Sequence, residues 1–366
     1  MAATPAAQAA ERQAMQRAIA LASAELGRTG SNPVVGAVVL DDAGLVVGEG
    51  AHTGGPGHPH AEILALAAAG GRARGGTVVS SLEPCNHRGR TGPCSQALID
   101  AGVARVVFAV EDPNPPAAGG ATTLRRAGVD VESGLLAEAA ERGNEAWLTS
   151  VRLGRPFVTW KYAAGLDGRS AAADGTSRWI TSAESRADVH RLRGQADAVV
   201  AGIGTVLADD PLLTARPSET LAQQPLRVVI DTEGRTPANA RVLGDGCLVV
   251  VGEGTVATWP GTEVLTVARD PAGRVDLAAA LKALDARGLR HLFVEGGPTL
   301  AGGFLAAGLV DLVVAYLAPT LLGAGRAALD EPGVTTLTQA HRLRFDDIES
   351  IGPDVRIVAR PVREGS

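Results

Sequence analysis

The sequence predicts an α/β protein made of two successive α/β units, spanning residues 1–150 and 151–366. Three observations carry this reading. At 366 residues the chain exceeds the usual single domain and fits about two, each long enough to bury its own core. Short apolar runs of strand length alternate with stretches of helical spacing from end to end, the order that layers helices on sheets. The alternation restarts after Val151–Pro156, where Arg152, Gly154, Arg155 and Pro156 read as a linker.

In the first unit, Met15, Ile19, Ala22 and Leu26 recur at helical spacing, so Glu11–Leu26 reads as an amphipathic helix. Val34–Leu40 and Leu45–Val47 read as strands around the turn Asp41-Asp42-Ala43-Gly44. Ala61–Ala69 follows as a helix and Thr77–Ser80 as a buried strand. Cys94–Ala101 reads as a helix stopped by Gly102, and Val103–Val110 as a further strand. Asp112-Pro113-Asn114-Pro115-Pro116 is a rigid loop, after which Leu124–Val131 and Leu135–Leu148 continue the alternation. The second unit opens with a strand at Phe157–Tyr162. Its later strands are expected at Ala198–Ala201, Leu226–Ile230, Leu248–Val251, Leu292–Val294 and Leu312–Leu317, with helical stretches between.

Composition excludes several classes. The net charge of −6 and the 3% aromatic content argue against nucleic-acid binding, which needs clustered cations or stacking platforms. Three cysteines are too few for a disulfide framework and suit a reducing compartment. Glu11, Arg12 and Arg17 interrupt the Ala-rich beginning before a secretory core develops, and no segment approaches a membrane span. A cytoplasmic enzyme with neither membrane nor nucleic-acid partner is expected. Cys247 reads as a buried structural thiol.

The chemistry is densest at His60-Ala61-Glu62, followed by Glu83-Pro84-Cys85 and then Cys94. One imidazole and two thiolates leave one position of tetrahedral zinc open, which is a catalytic arrangement rather than a structural one. Glu62, two residues past His60 at a helix start, can reach a reacting water without ligating the metal. This ordered His-x-Glu and Pro-Cys pattern is that of zinc deaminases. The usual two-residue gap between the cysteines is here eight residues, Asn86 to Pro93. That insertion carries His87, Arg88 and Arg90, which either grip a phosphate near the metal or form a solvated basic loop. A zinc-stabilised scaffold and a nucleic-acid editing protein are the readings from other classes.

In the second unit Glu295-Gly296-Gly297-Pro298-Thr299-Leu300 follows a strand and opens a helix. Glycines there let backbone N–H groups approach a phosphate, although a tight strand–helix turn has the same composition. Neither it nor Gly202-Ile203-Gly204-Thr205 supplies the Gly-x-Gly-x-x-Gly fingerprint, so a standard Rossmann domain is disfavoured. On residues alone Trp179 is as readily core, Asn32 a turn residue before Pro33, and His52 a solvated loop histidine.

These motifs resemble the bifunctional deaminase–reductase family of riboflavin biosynthesis. The resemblance rests on His60-Ala61-Glu62, Leu82 to Cys94 and Asp112-Pro113-Asn114-Pro115. It continues through Lys161 to Arg169, Trp179-Ile180-Thr181-Ser182, Ala208-Asp209-Asp210-Pro211 and Glu295 to Thr299, over nearly the whole chain. It implies a cytidine-deaminase-like α/β/α sandwich followed by a dihydrofolate-reductase-like α/β domain. It also implies hydrolytic deamination of 2,5-diamino-6-ribosylamino-4(3H)-pyrimidinone 5′-phosphate, then NADPH-dependent reduction of the ribosyl group to ribityl. The remaining alternative is an active deaminase joined to an inactive or differently specific reductase.

By the resemblance, His60, Cys85 and Cys94 hold one Zn2+ per chain and Glu62 shuttles the proton. Asn32, His52, His87 and Arg90 match substrate positions of the deaminase. Ala163, Trp179, Thr205, Asp209, Thr232 and the run Gly297, Pro298, Thr299, Leu300, Ala301, Gly302 and Gly303 match NADPH positions. Ser177, Arg193, Leu213, Arg216 and Glu295 match positions for the ribosyl phosphate, and Lys161 and Asp209 are expected nearest the reacting ribose carbon. A homo-oligomer is implied as well. The chain departs from the family pattern at Ser31, Gly92 and Gly165, and its loop between His52 and His60 is one residue longer than usual.

Overall fold

A computed structural model describes residues 4–55, 57–87, 92–218, 221, 223–330 and 333–362. The chain divides into two compact units, Met1–Leu153 and Gly154–Ser366.

The first unit runs α1 (Pro5–Ser23), β1 (Gly36–Leu40), β2 (Val46–Ala51), α2 (Ala61–Ala69), β3 (Thr77–Leu82), α3 (Cys94–Ala101) and β4 (Arg105–Val110). It closes with α4 (Gly120–Arg126), β5 (Asp130–Ser133), α5 (Ala137–Gly143) and α6 (Glu145–Leu153). Helix α1 starts six residues before the expected Glu11 because Thr4 caps it, accepting from the Ala7 N–H, and Pro5 suits the first helical position. Helix α6 carries the first unit past the expected break at 150, to Leu153. The strands form one sheet in the order β2-β1-β3-β4-β5, with β1 antiparallel to both neighbours and β3, β4 and β5 parallel. Its centre is β-branched: Val38, Val39, Val78, Val79, Val106 and Val107 are fully buried.

Two glycines set the depth of α2. Gly48 and Gly50 lie two apart on β2 and so face the same side. A Cβ on either would strike the α2 backbone carbonyls of Ala65 and Ala61 well inside van der Waals contact. The helix that begins beside His60 therefore lies directly on the strand backbone.

The second unit runs β6 (Phe157–Gly165), α7 (Ala183–Gly194), β7 (Ala198–Gly202), α8 (Ile203–Asp209), β8 (Leu226–Ile230), β9 (Cys247–Gly252), β10 (Glu263–Val267) and α9 (Leu277–Asp285). Then come β11 (His291–Glu295), α10 (Pro298–Ala306), β12 (Leu312–Ala318), β13 (Leu343–Ile351) and β14 (Asp354–Pro361). All nine strands join one sheet in the order β10-β9-β8-β7-β11-β6-β12-β14-β13. The first seven are parallel, and a β13–β14 hairpin closes the sheet antiparallel to β12. In parallel sheets, ligand sites form at the carboxyl ends of the strands. Here that edge carries Glu295, Gly202 and the start of α10.

Strands β10, β13 and β14 were not anticipated. β13 is exposed along nearly its whole length, so its polar residues mask the apolar alternation. Trp179 is 70% exposed and stacks under the Arg186 guanidinium, which rules out the core reading. Cys247 is buried, and burial pushes its thiol up to about 11. Gly165 stands where the family commonly has serine. Here a Cβ would lie 2.7 Å from the Thr320 carbonyl oxygen and 2.9 Å from Asp167 Oδ1. Among the described residues no helix is long and apolar enough to cross a membrane.

Candidate active sites

In the first unit three elements deliver three ligand atoms to one point. His60 is the N-cap of α2, Cys85 follows β3, and Cys94 is the first residue of α3. His60 Nδ1 lies 3.4 Å from Cys85 Sγ and 3.2 Å from Cys94 Sγ. All three ligand atoms lie within 4.8 Å of one another. Tetrahedral zinc at ordinary bond lengths separates imidazole N from thiolate S by about 3.6 Å. The donor set and its spacing fit zinc.

The Cys85 segment is braced from behind. Glu83 is buried, and its carboxylate accepts from the backbone N–H groups of Asp112 at 3.2 Å and Ala121 at 2.9 Å. The Asn86 N–H donates to the Ala117 carbonyl, and the Ser95 hydroxyl donates to Asn86 Oδ1. Gly120 packs so closely on the Pro84 carbonyl that no side chain fits there. The Asp112-Pro113-Asn114-Pro115 loop is thus the buttress of the second ligand.

The electrostatics suit a metal-dependent hydrolase. A hydrogen bond from Cys94, with His60 adding to it, pulls the Cys85 thiol down, while the same contact pushes Cys94 up. Glu62 is buried in the first turn of α2. Burial, and then the Cys85 thiolate, push its carboxyl up to about 7.

Asn32, His52 and His87 gather around His60. His52 is buried, with Nδ1 3.0 Å from the Pro59 carbonyl oxygen. That contact makes Nδ1 the donor and leaves Nε2 to accept from Asn32 Nδ2 at 3.1 Å. Burial lowers the His52 pKa and keeps this neutral form. The His52 and His60 rings meet edge to face at 5.4 Å, and the His87 ring lies 6.1 Å from His60. His87 Nδ1 is buried and has no partner among the described residues. His52 is therefore not a solvated loop residue. Arg88 and Arg90 lie outside the described residues.

The second unit gathers a buried charge network on β6, β11 and α7. Glu295, at the end of β11, takes both Arg193 Nε and Arg193 Nη2, the latter at 3.0 Å, while Lys161 of β6 approaches it at 3.4 Å. Burial pushes the Glu295 carboxyl up, but Arg193 and Lys161 outweigh this and hold it down at about 2. Arg193 also donates to the Thr214 carbonyl at 2.9 Å. Arg216 donates to Thr214 Oγ1 at 2.6 Å, and Leu213 is buried in this loop with φ +53°. Behind Lys161, the Tyr316 hydroxyl donates to Asp188 at 2.6 Å, and Arg356 reaches the same carboxylate at 3.0 Å.

No ion pair joins Lys161 to Asp209 among the described residues; the Asp209 backbone carbonyl accepts from Arg178. Ser177 is half-buried, and Ala163 sits on β6 opposite Tyr316. His190, Asp188 and Tyr316 escaped the reading by motif. The available signal was spacing, because His190 and Arg193 share one face of α7 at i, i+3.

Gly296 and Gly297 have φ of +75° and +76° and lead into the N-terminus of α10. A Cβ at Gly296 would sit 2.9 Å from Thr205 Oγ1. The cradle therefore needs glycine, and the first-turn N–H groups of Thr299 and Leu300 face an anion favourably. Just past the end of β8, two strands from β11 in the sheet, Thr232 Oγ1 accepts from the Val275 N–H and its carbonyl from Thr255 Oγ1. The glycine pair and the N-terminus of α10 fit an anionic group such as a phosphate.

Comparison with known proteins agrees with both units. Residues 8–110 match the cytidine and deoxycytidylate deaminase zinc-binding region, and residues 156–357 match the RibD C-terminal domain. The chain is 48% identical to the riboflavin biosynthesis protein RibD of Mycobacterium tuberculosis, over 91% of this chain and 93% of that one. It is 43% identical to the RibD protein of Escherichia coli, over 93% and 96%. A solved structure from Thermotoga maritima, a diaminohydroxyphosphoribosylaminopyrimidine deaminase/5-amino-6-(5-phosphoribosylamino)uracil reductase, superposes with a TM-score of 0.88 at 33% identity. It covers 97% of this chain and 99% of that one. With relatives this similar over nearly its full length, the chain belongs to the RibD family and is a deaminase and a reductase of riboflavin biosynthesis.

Proposed function

We propose that the chain hydrolyses the ring 2-amino group of 2,5-diamino-6-ribosylamino-4(3H)-pyrimidinone 5′-phosphate in residues 1–150. Residues 151–366 then reduce the ribosyl group with NADPH, giving 5-amino-6-ribitylamino-uracil 5′-phosphate. The observation that carries the reading is the convergence of His60, Cys85 and Cys94 beside the buried Glu62. His60, Cys85 and Cys94 would hold a zinc ion, which would supply Lewis acidity for hydrolysis near neutral pH. Glu62 takes a proton from the attacking water at its carboxylate and returns it to the departing amine, so that water and the ring amine become a ring carbonyl and ammonia. Asn32, held through its amide nitrogen by His52, turns its carbonyl oxygen to the pyrimidine. His87 and Arg90 meet the ribose and phosphate.

In the reductase, NADPH supplies the hydride. The residues from Gly297 to Gly303 hold its diphosphate, with Ala163, Trp179, Thr205, Asp209 and Thr232 along its length. Ser177, Leu213, Arg193, Arg216 and Glu295 seat the ribosyl phosphate, and Lys161 and Asp209 flank the reacting carbon. The homo-oligomer belongs to the same reading. It is supported by Leu343, Phe345 and Ile348, exposed on one face of the edge strand β13, where a bulge after Phe345 keeps Ile348 in line.

The test separates the two steps. Asp209→Asn is expected to slow NADPH oxidation at least tenfold while ammonia release continues at the wild-type rate. Equal loss of both activities would mean that Asp209 acts on the fold and not on reduction.

A further inference from the structure

His190, on α7, is half-buried against the loop that carries Arg216. Its Nδ1 accepts from the Arg216 backbone N–H at 3.2 Å. An imidazole nitrogen that accepts carries no proton, so the ring is the neutral tautomer with hydrogen on Nε2. That Nε2 lies 3.2 Å from Arg216 Nη2. Guanidinium nitrogens only donate, so this contact sets donor against donor. Two donors held side by side with no acceptor between them are satisfied by one oxyanion oxygen that receives from both.

The charge around the pair favours an anion. Burial, then Arg193 and Arg216, hold the His190 pKa down at about 4, with Lys161 adding in the same direction and Glu295 opposing. Burial, then Arg193 and Arg241, lower the pKa of Arg216 itself. Arg193 is already engaged by Glu295 and Thr214, and the Arg241 guanidinium by the Asp210 backbone carbonyl at 3.5 Å. With Arg216 Nη1 on Thr214 Oγ1, Arg216 Nη2 and His190 Nε2 are, among the described residues, the donors left for an incoming anion beside the network that ends at Lys161.

We propose that His190 donates through Nε2–H to the same phosphate oxygen as Arg216, making it a phosphate-binding residue of the reductase. The proposal rests on the reading of Arg216 as a substrate-phosphate ligand. It assigns the substrate's 5′-phosphate to a pair of donors, one cationic and one neutral, that are tied together through the Arg216 backbone.

The test compares H190A, H190Q and R216A in the full-length protein, with reductase kinetics on the phosphorylated ribosylaminouracil and on its dephosphorylated form. Inorganic phosphate serves as a competitive probe. H190A is expected to raise KM for the phosphorylated substrate about tenfold, with kcat changed less than twofold. The inhibition constant of phosphate should rise in parallel, and KM for the dephosphorylated substrate should not move. H190Q should recover part of the loss, because its amide also donates. In the wild-type protein, inorganic phosphate should move the His190 Nε2–H proton resonance downfield, a readout that needs no variant to fold. If R216A loses phosphate inhibition while H190A keeps it, and the resonance does not move, His190 only packs and the proposal is overturned. If R216A also binds phosphate as the wild type does, the anion site itself is misassigned and both readings fall.

Discussion

Replacing Glu62 with glutamine is expected to lower the rate of ammonia release about 10³- to 10⁴-fold while zinc content stays near one per chain. Glu62 sits in the first turn of α2, buried, beside the His60 and Cys85 ligands but outside the triad that converges on one point. Glutamine fills the same volume and keeps a hydrogen-bonding end, so α2 should keep its place against Gly48 and Gly50. What it cannot do is take a proton from water and hand it to the amine. Metal analysis and an ammonia assay on the same preparation decide the matter. Loss of zinc with activity would make Glu62 a ligand, and retained activity would remove it from the mechanism.

The largest stability effect is expected at Glu295. Its carboxylate is the shared counter-ion of Arg193 and Lys161, all three largely out of water. Glu295→Gln leaves two cations without their partner, which for a buried pair costs about 3–5 kcal/mol. At roughly 2–4 °C per kcal/mol for a unit of this size, the reductase melting transition should fall by about 10 °C. The pH dependence follows from the same contact. The folded-state value of about 2 lies below the ordinary carboxylate value of 4.5, so this stability is fully present above pH 4.5. It is lost as pH falls from 4.5 toward 2. Calorimetry across that window should show wild type losing roughly 3 kcal/mol that the Gln variant never had. Parallel wild-type and variant curves would place the ion pair outside the stability balance.

Much of the first site was legible because its chemistry is local. His60 and Cys94 each begin a helix, and Cys85 follows a strand, so ordinary helix and strand signals put each ligand at an element end. Helices Ala61–Ala69 and Cys94–Ala101 have the bounds their sequence suggests. The role of Asp112 to Ala121 was not legible, because Glu83 reaches it across 29 and 38 residues of chain. Trp179 shows the same limit from the other side. A large aromatic flanked by Ile180 suits a core, and only the fold leaves it exposed over Arg186. In the second unit, charge patterning gave no sign of the network from Arg193 through Glu295 to Lys161. Its members come from α7, β11 and β6, and their pairing is a matter of sheet order, in which β11 lies between β7 and β6.

The central claim is that one chain deaminates and then reduces the same phosphoribosylated pyrimidine. The direct measurement incubates purified protein with 2,5-diamino-6-ribosylamino-4(3H)-pyrimidinone 5′-phosphate, first without and then with NADPH, following ammonia and cofactor absorbance together. The expected result is ammonia release without NADPH, followed on its addition by oxidation of one NADPH for each ammonia already released. Ammonia with no NADPH oxidation would contradict the second half of the claim, and NADPH oxidation without prior ammonia release would contradict the order of the steps.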